Sequence, residues 1–503
     1  MDDPRSLKVL YLAAECVPFA KTGGLADVAG ALPKAVRGLG HDIRIMMPRY
    51  GRIEIEKFGL KPCIENVNVP MDERTEPAKV YEASIGTGPF ETPVLFVDSQ
   101  RYFDRQGIYM YPDDAERFIF FSRAALEICR GLDWQPDVIH CNEWQTALIP
   151  NWLKTVYESN PFYRNIATLY TAHNLEYQGI FGYRILEIAG LAEAGFIAHP
   201  DVAPDLNYVV DLMARGILFA DVINTVSETY AREILTPEHG QRLDPVLRDR
   251  RDRLYGILNG IDTELYDPAT DVNIATHFDA NNLEPRAQNK AALQAELKLP
   301  VRPDPPLIGV VSRLIDQKGF DLIAAVADPL LQNVPCQLVV MGTGEMRHHD
   351  MLNALAARYG DQVAVQLTFN RPLEQRIYAG SDIFLMPSRF EPCGLNQMVA
   401  MRYGAVPVVH ATGGLADTVH DFDARTGDGN GFSFDRYDAM ALFAALVRAA
   451  ETFRHPDIWR QLMRRCMSAD FSWGRSAARY VDLYYRGLAA RRRANQSLLA
   501  TSS

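Results

Sequence analysis

Residues 8–28 read KVLYLAAECVPFAKTGGLADV. The opening KVLYLAAE (8–15) is a short apolar run, the kind a strand needs when both its faces are buried in a parallel sheet. TGG (22–24) lets the backbone turn. LADVAGALPKAVRGLG (25–40) then spaces Leu25, Val28, Ala29, Leu32 and Val36 at helical intervals, and Gly38 and Gly40 end the pattern. Strand, glycine loop and helix make the first half of a βαβ unit. HDIRIMMP (41–48) is the next strand. TPVLFVD (92–98), DVIHCNE (137–143), ATLYTAH (167–173) and DVINTVS (221–227) continue the series, with helical segments such as RFIFFSRAALEICRGL (117–132) between them. The pattern predicts a parallel sheet with helices on both faces.

The alternation fades after ILNGIDTELYDPATD (257–271) and a polar stretch follows to about residue 300. It restarts with LIGVVSRL (307–314), QLVVMGTGE (337–345), QVAVQL (362–367), DIFLMPS (382–388) and VPVVHATGG (406–414). At 503 residues the chain exceeds what one core usually organises. The reading is two Rossmann-like domains, 1–262 and 263–473. WGRSAARYVDLYYRGLAARRRA (473–494) has an amphipathic helical pattern and no partner strand. A C-terminal helix over about 474–503 is expected to pack back on the first domain, with NQSLLATSS (495–503) fraying at its end.

A formal charge of −11 argues against the clustered basic footprint of a nucleic-acid binder, though a local pocket can still take an anionic ligand. The N-terminus lacks a basic and apolar leader, and no stretch has the length to cross a bilayer. A cytoplasmic protein is expected, or a mature organellar one. The seven cysteines are scattered and form no CxxC pair, so neither a disulfide framework nor a structural zinc site is expected.

TGGLAD occurs at 22–27 and again at 412–417, each time between a predicted strand and a predicted helix. Glycines there let backbone N–H groups approach an anionic ligand at the carboxyl end of the sheet. A tight turn before a helix is the plainer alternative. Neither copy is a GxGxxG dinucleotide fingerprint, and GxxxxGK[ST] is absent. SRLIDQKG (312–319) puts Arg313 and Lys318 just beyond a strand, where two cations suit a diphosphate leaving group, unless both are solvated surface charges. SRFEPCGLNQ (388–397) puts Glu391 near a helix start, as a working carboxylate or as a dipole partner or cap of that helix. TAHNLEYQG (171–179) ends a strand at His173 and Asn174.

Seven motifs in order give the chain its resemblance to bacterial glycogen synthases and plant starch synthases. They are KTGGLADV (21–28), HCNEW (140–144), TAHNLEYQG (171–179), NGID (259–262), SRLIDQKG (312–319), PSRFEPCGLNQ (387–397) and ATGGLADTV (411–419). The resemblance implies the glycosyltransferase B fold, an α/β arrangement of two Rossmann-like domains facing across a catalytic cleft. It implies transfer of glucose from ADP-glucose to the non-reducing end of an α-1,4-glucan, glycogen or a maltooligosaccharide, with retention of the α configuration.

By the same resemblance Lys21, Gly23, Gly24 and Asp27 form the loop at the sugar and phosphate. Arg313 and Lys318 hold the diphosphate, and His173, Asn174 and Asn259 face the donor. Glu391 serves the glucosyl hydroxyls, and Cys393, Gly394 and Leu395 offer N–H groups to the sugar. Phe369 lies against adenine, and Thr412 and Gly413 meet the distal phosphate. The first domain takes the glucan side and the second the nucleotide side. The chain departs from many bacterial members at Glu143 and Gln145, where they carry Asp and His. Val399 occupies the place of a second glutamate found in related retaining transferases.

Retention usually points to a carboxylate nucleophile. Glu143 and Asp27 are candidates, but neither motif sets them behind an anomeric carbon. The family mechanism is a front-face attack in which the departing phosphate takes the acceptor proton. No cofactor and no metal are expected, and DFD (421–423), the one DxD, reads as solvated surface. No membrane or nucleic-acid partner is expected. The location is cytoplasm, or plastid stroma for a plant-type chain. Two other classes stay open at this stage: a non-catalytic glucan-binding protein, and a nucleotide-sugar epimerase or phosphorylase on paired Rossmann halves.

Overall fold

The computed structural model describes residues 5–191 and 209–501. The chain divides into two compact units, Met1–Gly260 with Trp473–Ser503, and Ile261–Ser472. In the first unit the strands are β1 Lys8–Leu12, β2 Asp42–Pro48, β3 Lys61–Met71, β4 Arg74–Ile85, β5 Thr92–Asp98, β6 Val138–Asn142, β7 Ala167–Ala172, β8 Ile180–Gly182, β9 Val209–Asp211, β10 Val222–Thr225 and β11 Leu254–Gly256. Nine of them form one sheet in the order β11-β10-β7-β6-β1-β2-β5-β4-β3, and β8 pairs with β9. From β11 to β5 the sheet is parallel, and its buried runs, such as VIHCN in β6, have both faces covered.

The other edge corrects the expectation of an all-parallel sheet: β3, β4 and β5 pair antiparallel. Met71 pairs with Arg74 across a two-residue turn, with Asp72 at φ 54°. These strands bury one face only. Val67, Val69 and Met71 alternate with exposed neighbours, as Ala78 and Val80 do opposite. Their polar half hides them from a search for continuous apolar runs.

The second unit is a parallel sheet in the order β14-β13-β12-β15-β16-β17, with β12 Leu307–Val311, β13 Gln337–Met341, β14 Val363–Gln366, β15 Ile383–Met386, β16 Val406–His410 and β17 Phe432–Phe434. The short β17 (FSF) was not anticipated. Helices such as Phe320–Asn333 and Ala439–Phe453 bury apolar stripes against the sheet.

The C-terminal helix Trp473–Thr501 belongs to the first unit. Tyr480 and Tyr484 are fully buried on it, and the buried Arg491 donates to the carbonyls of Arg164 and Leu153. Helix continues through Thr501 where fraying was expected, and Asn495 Nδ2 anchors it to the Arg164 carbonyl. Ser502 and Ser503 lie outside the described residues. Among the described residues no helix is long and apolar enough to cross a membrane.

Candidate active site

Parallel strands bring their carboxyl ends to one edge, so the loops after β1, β6 and β7 converge in the first unit. Glu15, three residues past β1, is buried and organises the glycine loop. Its carboxylate accepts the Thr22 and Gly23 N–H groups, the latter at 3.0 Å, and the Tyr109 hydroxyl at 2.8 Å. Lys21 and Asp27 pair at 2.7 Å across this loop. A Cβ on Gly23 would meet nothing within 4 Å, so the loop presents open backbone at the mouth of the helix Gly24–Gly38.

Asn142 and Glu143, consecutive at the end of β6, hold His173 from two sides. Asn142 Oδ1 lies 2.9 Å from His173 Nε2. Glu143 Oε1 accepts the backbone N–H of His173 at 2.5 Å and of Asn174 at 3.3 Å. Asn174 spends its own Oδ1 on the Glu176 N–H at 3.0 Å. Glu143 sits at φ 61°, ψ 177°, a region that only glycine adopts without strain. The next residue, Trp144, packs its ring on Phe118 and Phe181 at 5.2 and 5.3 Å. Asn259, after β11, is buried, and its Oδ1 meets no donor among the described residues.

Burial dominates the electrostatics here. It pushes the Glu143 carboxyl up to about 8, although the two backbone N–H groups pull the other way. It pushes His173 down to about 4. At neutral pH both groups are mostly uncharged. The folded chain keeps the Glu143 proton up to about pH 8, whereas an unfolded chain releases it near 4.5, so ionisation costs wild type stability as pH rises through that window. Glu143→Gln, which cannot ionise, is expected to be the more stable protein by a margin that grows between those limits. The margin should reach a few kcal/mol, at about 1.4 kcal/mol per pKa unit. Thermal melts of both proteins across pH check this, and a constant gap would contradict it.

In the second unit the loops after β12, β15 and β16 converge in the same way. Lys318 closes the turn Asp316–Lys318, and its Nζ lies 2.6 Å from Glu391 Oε2. Ser388 Oγ donates to the same oxygen at 2.9 Å. Glu391 therefore does not cap the helix Asn396–Arg402, and the capping alternative falls. Backbone contacts fix the loop that carries it. Gln317 Nε2 donates to Phe390 O (3.1 Å), Gly414 N–H to Glu391 O (3.0 Å), Gln397 Nε2 to Gly394 O (2.9 Å) and Asn396 Nδ2 to Val311 O (2.9 Å). Cys393 is buried in this loop and Leu395 precedes the helix.

The two TGGLAD copies do different work. The first leaves open space beside Gly23. In the second, a Cβ on Gly413 would stand 2.0 Å from the Glu391 carbonyl, and one on Gly414 1.9 Å from that of Cys393. The second pair of glycines thus lets the loop after β16 seat against the Glu391 loop. Thr412 is buried ahead of them. Arg313 is exposed after β12 and forms no ion pair with a described residue. Phe369, 62% exposed, stands beyond β14 beside Asn370, which caps the next helix. Glu15, Tyr109, Asn142 and Ser388 were missed as site residues. A carboxylate closing the apolar run KVLYLAAE was the available signal for Glu15.

Among the described residues, Asp316, Glu345 and His348 could together offer metal ligands. The Arg347 guanidinium already pairs with both carboxylates, at 2.6 and 2.5 Å, and supplies the cation there. The DFD aspartates are engaged as surface ion pairs, Asp421 with Arg448 and Asp423 with Arg425.

Family models for the starch synthase catalytic domain and for glycosyl transferases group 1 match residues 8–249 and 295–461. The glycogen synthase of Moorella thermoacetica is 49% identical over 491 residues, covering 97% of this chain and 99% of its own. That of Thermotoga maritima is 46% identical over 497 residues, covering 96% and 99%. Among solved structures, the catalytic domain of starch synthase IV from Arabidopsis thaliana, bound to ADP and acarbose, superposes with a TM-score of 0.86 at 34% identity, covering 96% of this chain and all of that one. Sucrose-phosphate synthase from Thermosynechococcus elongatus shares the fold at a TM-score of 0.59 and 18% identity. With two Rossmann-like units of the glycosyltransferase B class and relatives aligned from end to end, the chain belongs to the glycogen and starch synthase family.

Proposed function

We propose that this chain is a glycogen synthase, transferring glucose from ADP-glucose to the non-reducing end of an α-1,4-glucan with retention of configuration. The observation that carries the reading is the near full-length match to bacterial glycogen synthases. The bound ADP of the Arabidopsis relative supports the donor. A cytoplasmic location suits seven free cysteines.

In this reading the second unit takes the nucleotide. Arg313 and Lys318 stabilise charge on the departing diphosphate, with Thr412 and Gly413 at the distal phosphate. Glu391 and the N–H groups of Cys393, Gly394 and Leu395 receive the glucosyl hydroxyls. The first unit takes the glucan, with Lys21, Gly23, Gly24 and Asp27 on the glycine loop and His173, Asn174 and Asn259 toward the donor sugar. Glu143 makes a poor nucleophile, because burial keeps it largely protonated at neutral pH. That favours a front-face course. The acceptor O4 bonds to C1 on the side from which ADP leaves, the C1–O electron pair goes to the phosphate oxygen, and that phosphate accepts the O4 proton. With maltoheptaose as acceptor, anomeric proton spectra should show α-linked chains lengthened one glucose at a time. Free glucose as the main product, or β linkage, would sink the assignment.

In this reading Phe369, exposed beyond β14, stacks on the base. Stacking is worth about 1–3 kcal/mol in nucleic-acid systems, and a purine offers more face than a pyrimidine. The difference supports a preference for ADP-glucose over UDP-glucose of about tenfold. Phe369→Ala should lower kcat/KM more for ADP-glucose than for UDP-glucose. An unchanged ratio of the two constants would remove Phe369 from base selection.

A further inference from the structure

The surroundings of His173 fix where its ring proton lies. Asn142 Nδ2 donates to the Leu12 carbonyl at 2.9 Å, and only the NH2 side of an amide can face a carbonyl oxygen favourably. Asn142 Oδ1 is thereby turned the other way, where the Tyr11 hydroxyl at 3.3 Å and His173 Nε2 at 2.9 Å converge on it. An amide oxygen only accepts, so His173 carries its proton on Nε2. Burial holds the ring neutral at physiological pH, which leaves a lone pair on Nδ1. No hydrogen bond from a described residue is recorded to Nδ1, and His173 is half-buried at the carboxyl edge of the sheet.

A second array beside it is ordered by the same logic. Asn224 Nδ2 donates to the Thr225 carbonyl at 2.9 Å, so Asn224 Oδ1 accepts the Thr171 hydroxyl proton. Thr171 Oγ1 then accepts from His140 Nε2 at 2.7 Å, and His140 Nδ1 accepts from the Tyr484 hydroxyl at 3.0 Å. The Tyr11 and His140 rings meet edge to face at 4.7 Å, so the tyrosine that holds Asn142 is itself braced. Asn142 fixes the ring of His173 while Glu143 fixes its backbone, leaving little freedom to swap tautomers.

We propose that Asn142 is a positioning residue that holds His173 as its Nε2–H tautomer, so that Nδ1 accepts a hydrogen bond from a hydroxyl of the donor sugar. The substrate half of this rests on the placement of His173 beside the donor. A neutral acceptor at that point favours a sugar that offers a hydroxyl proton and disfavours one bearing fluorine or hydrogen there.

The test is a 15N spectrum of the histidine rings in the full chain, with His173 identified by its loss in His173→Gln. Wild type should show Nε2 protonated and Nδ1 unprotonated. The opposite pattern overturns the proposal. Asn142→Leu removes the acceptor and should populate Nδ1–H, with kcat falling about tenfold or more while KM for glycogen holds. Asn142→Asp restores an acceptor and should recover the tautomer, with the acidic limb of the pH profile moved upward by the added charge. Tyr11→Phe should keep the tautomer. If Asn142→Leu only lowers the melting temperature, with ring spectrum and kcat unchanged, Asn142 is merely structural. A wild type with the expected spectrum but no glucosyl transfer would refute the functional reading and the sugar contact while leaving the tautomer assignment intact.

Discussion

Lys318→Ala is expected to lower turnover at saturating ADP-glucose by about 10²–10³-fold, the usual loss when one preorganised charge contact is removed from a transition state. Lys318 closes the turn Asp316–Lys318 beyond β12, with its side chain 15% exposed and its Nζ 2.6 Å from Glu391. In the proposed mechanism charge develops on the diphosphate as the C1–O bond breaks, and a fixed ammonium there needs no reorganisation. The alanine variant also leaves the buried Glu391 carboxylate with Ser388 alone, which adds repulsion against the leaving group. Binding of glycogen, which does not draw on this charge, should change little. Unchanged turnover at saturating donor would take Lys318 out of the mechanism.

Glu391→Gln should reduce transfer at least as strongly while the fold persists. Several contacts that seat this loop use backbone groups of Phe390, Glu391 and Gly394 and do not draw on the carboxylate. Its partners are Lys318 and Ser388, so the substitution removes a charge without opening a cavity. The two residues act as a pair, and the double variant should lose less than the product of the single losses. A Glu391→Gln protein that melts early yet keeps normal specific activity would reassign the residue to stability.

The longer parallel strands of both sheets were legible because they are buried on two faces and read as unbroken apolar runs, whereas the three-residue parallel edge strands β11 (LYG) and β17 (FSF) are too short to give such a run. The β3–β4 hairpin escaped the same search because its buried residues alternate with Asn, Glu and Lys. The repeated hexapeptide was legible as two loops at strand ends, but its second job was not. Only coordinates reveal that Gly413 and Gly414 lie against the carbonyls of Glu391 and Cys393. The pairing of Lys318 with Glu391 joins residues 73 positions apart and has no local signature. Glu15 and Asn142 act on neighbours through hydrogen bonds, and short-range pattern does not encode that.

The most direct measurement is incorporation of labelled glucose into glycogen from ADP-glucose and from UDP-glucose, side by side with the purified chain. Transfer from ADP-glucose at about tenfold higher kcat/KM or more is the expected result. Equal use of the two donors would contradict the assignment of the donor, and no incorporation from either would contradict the assignment of the enzyme.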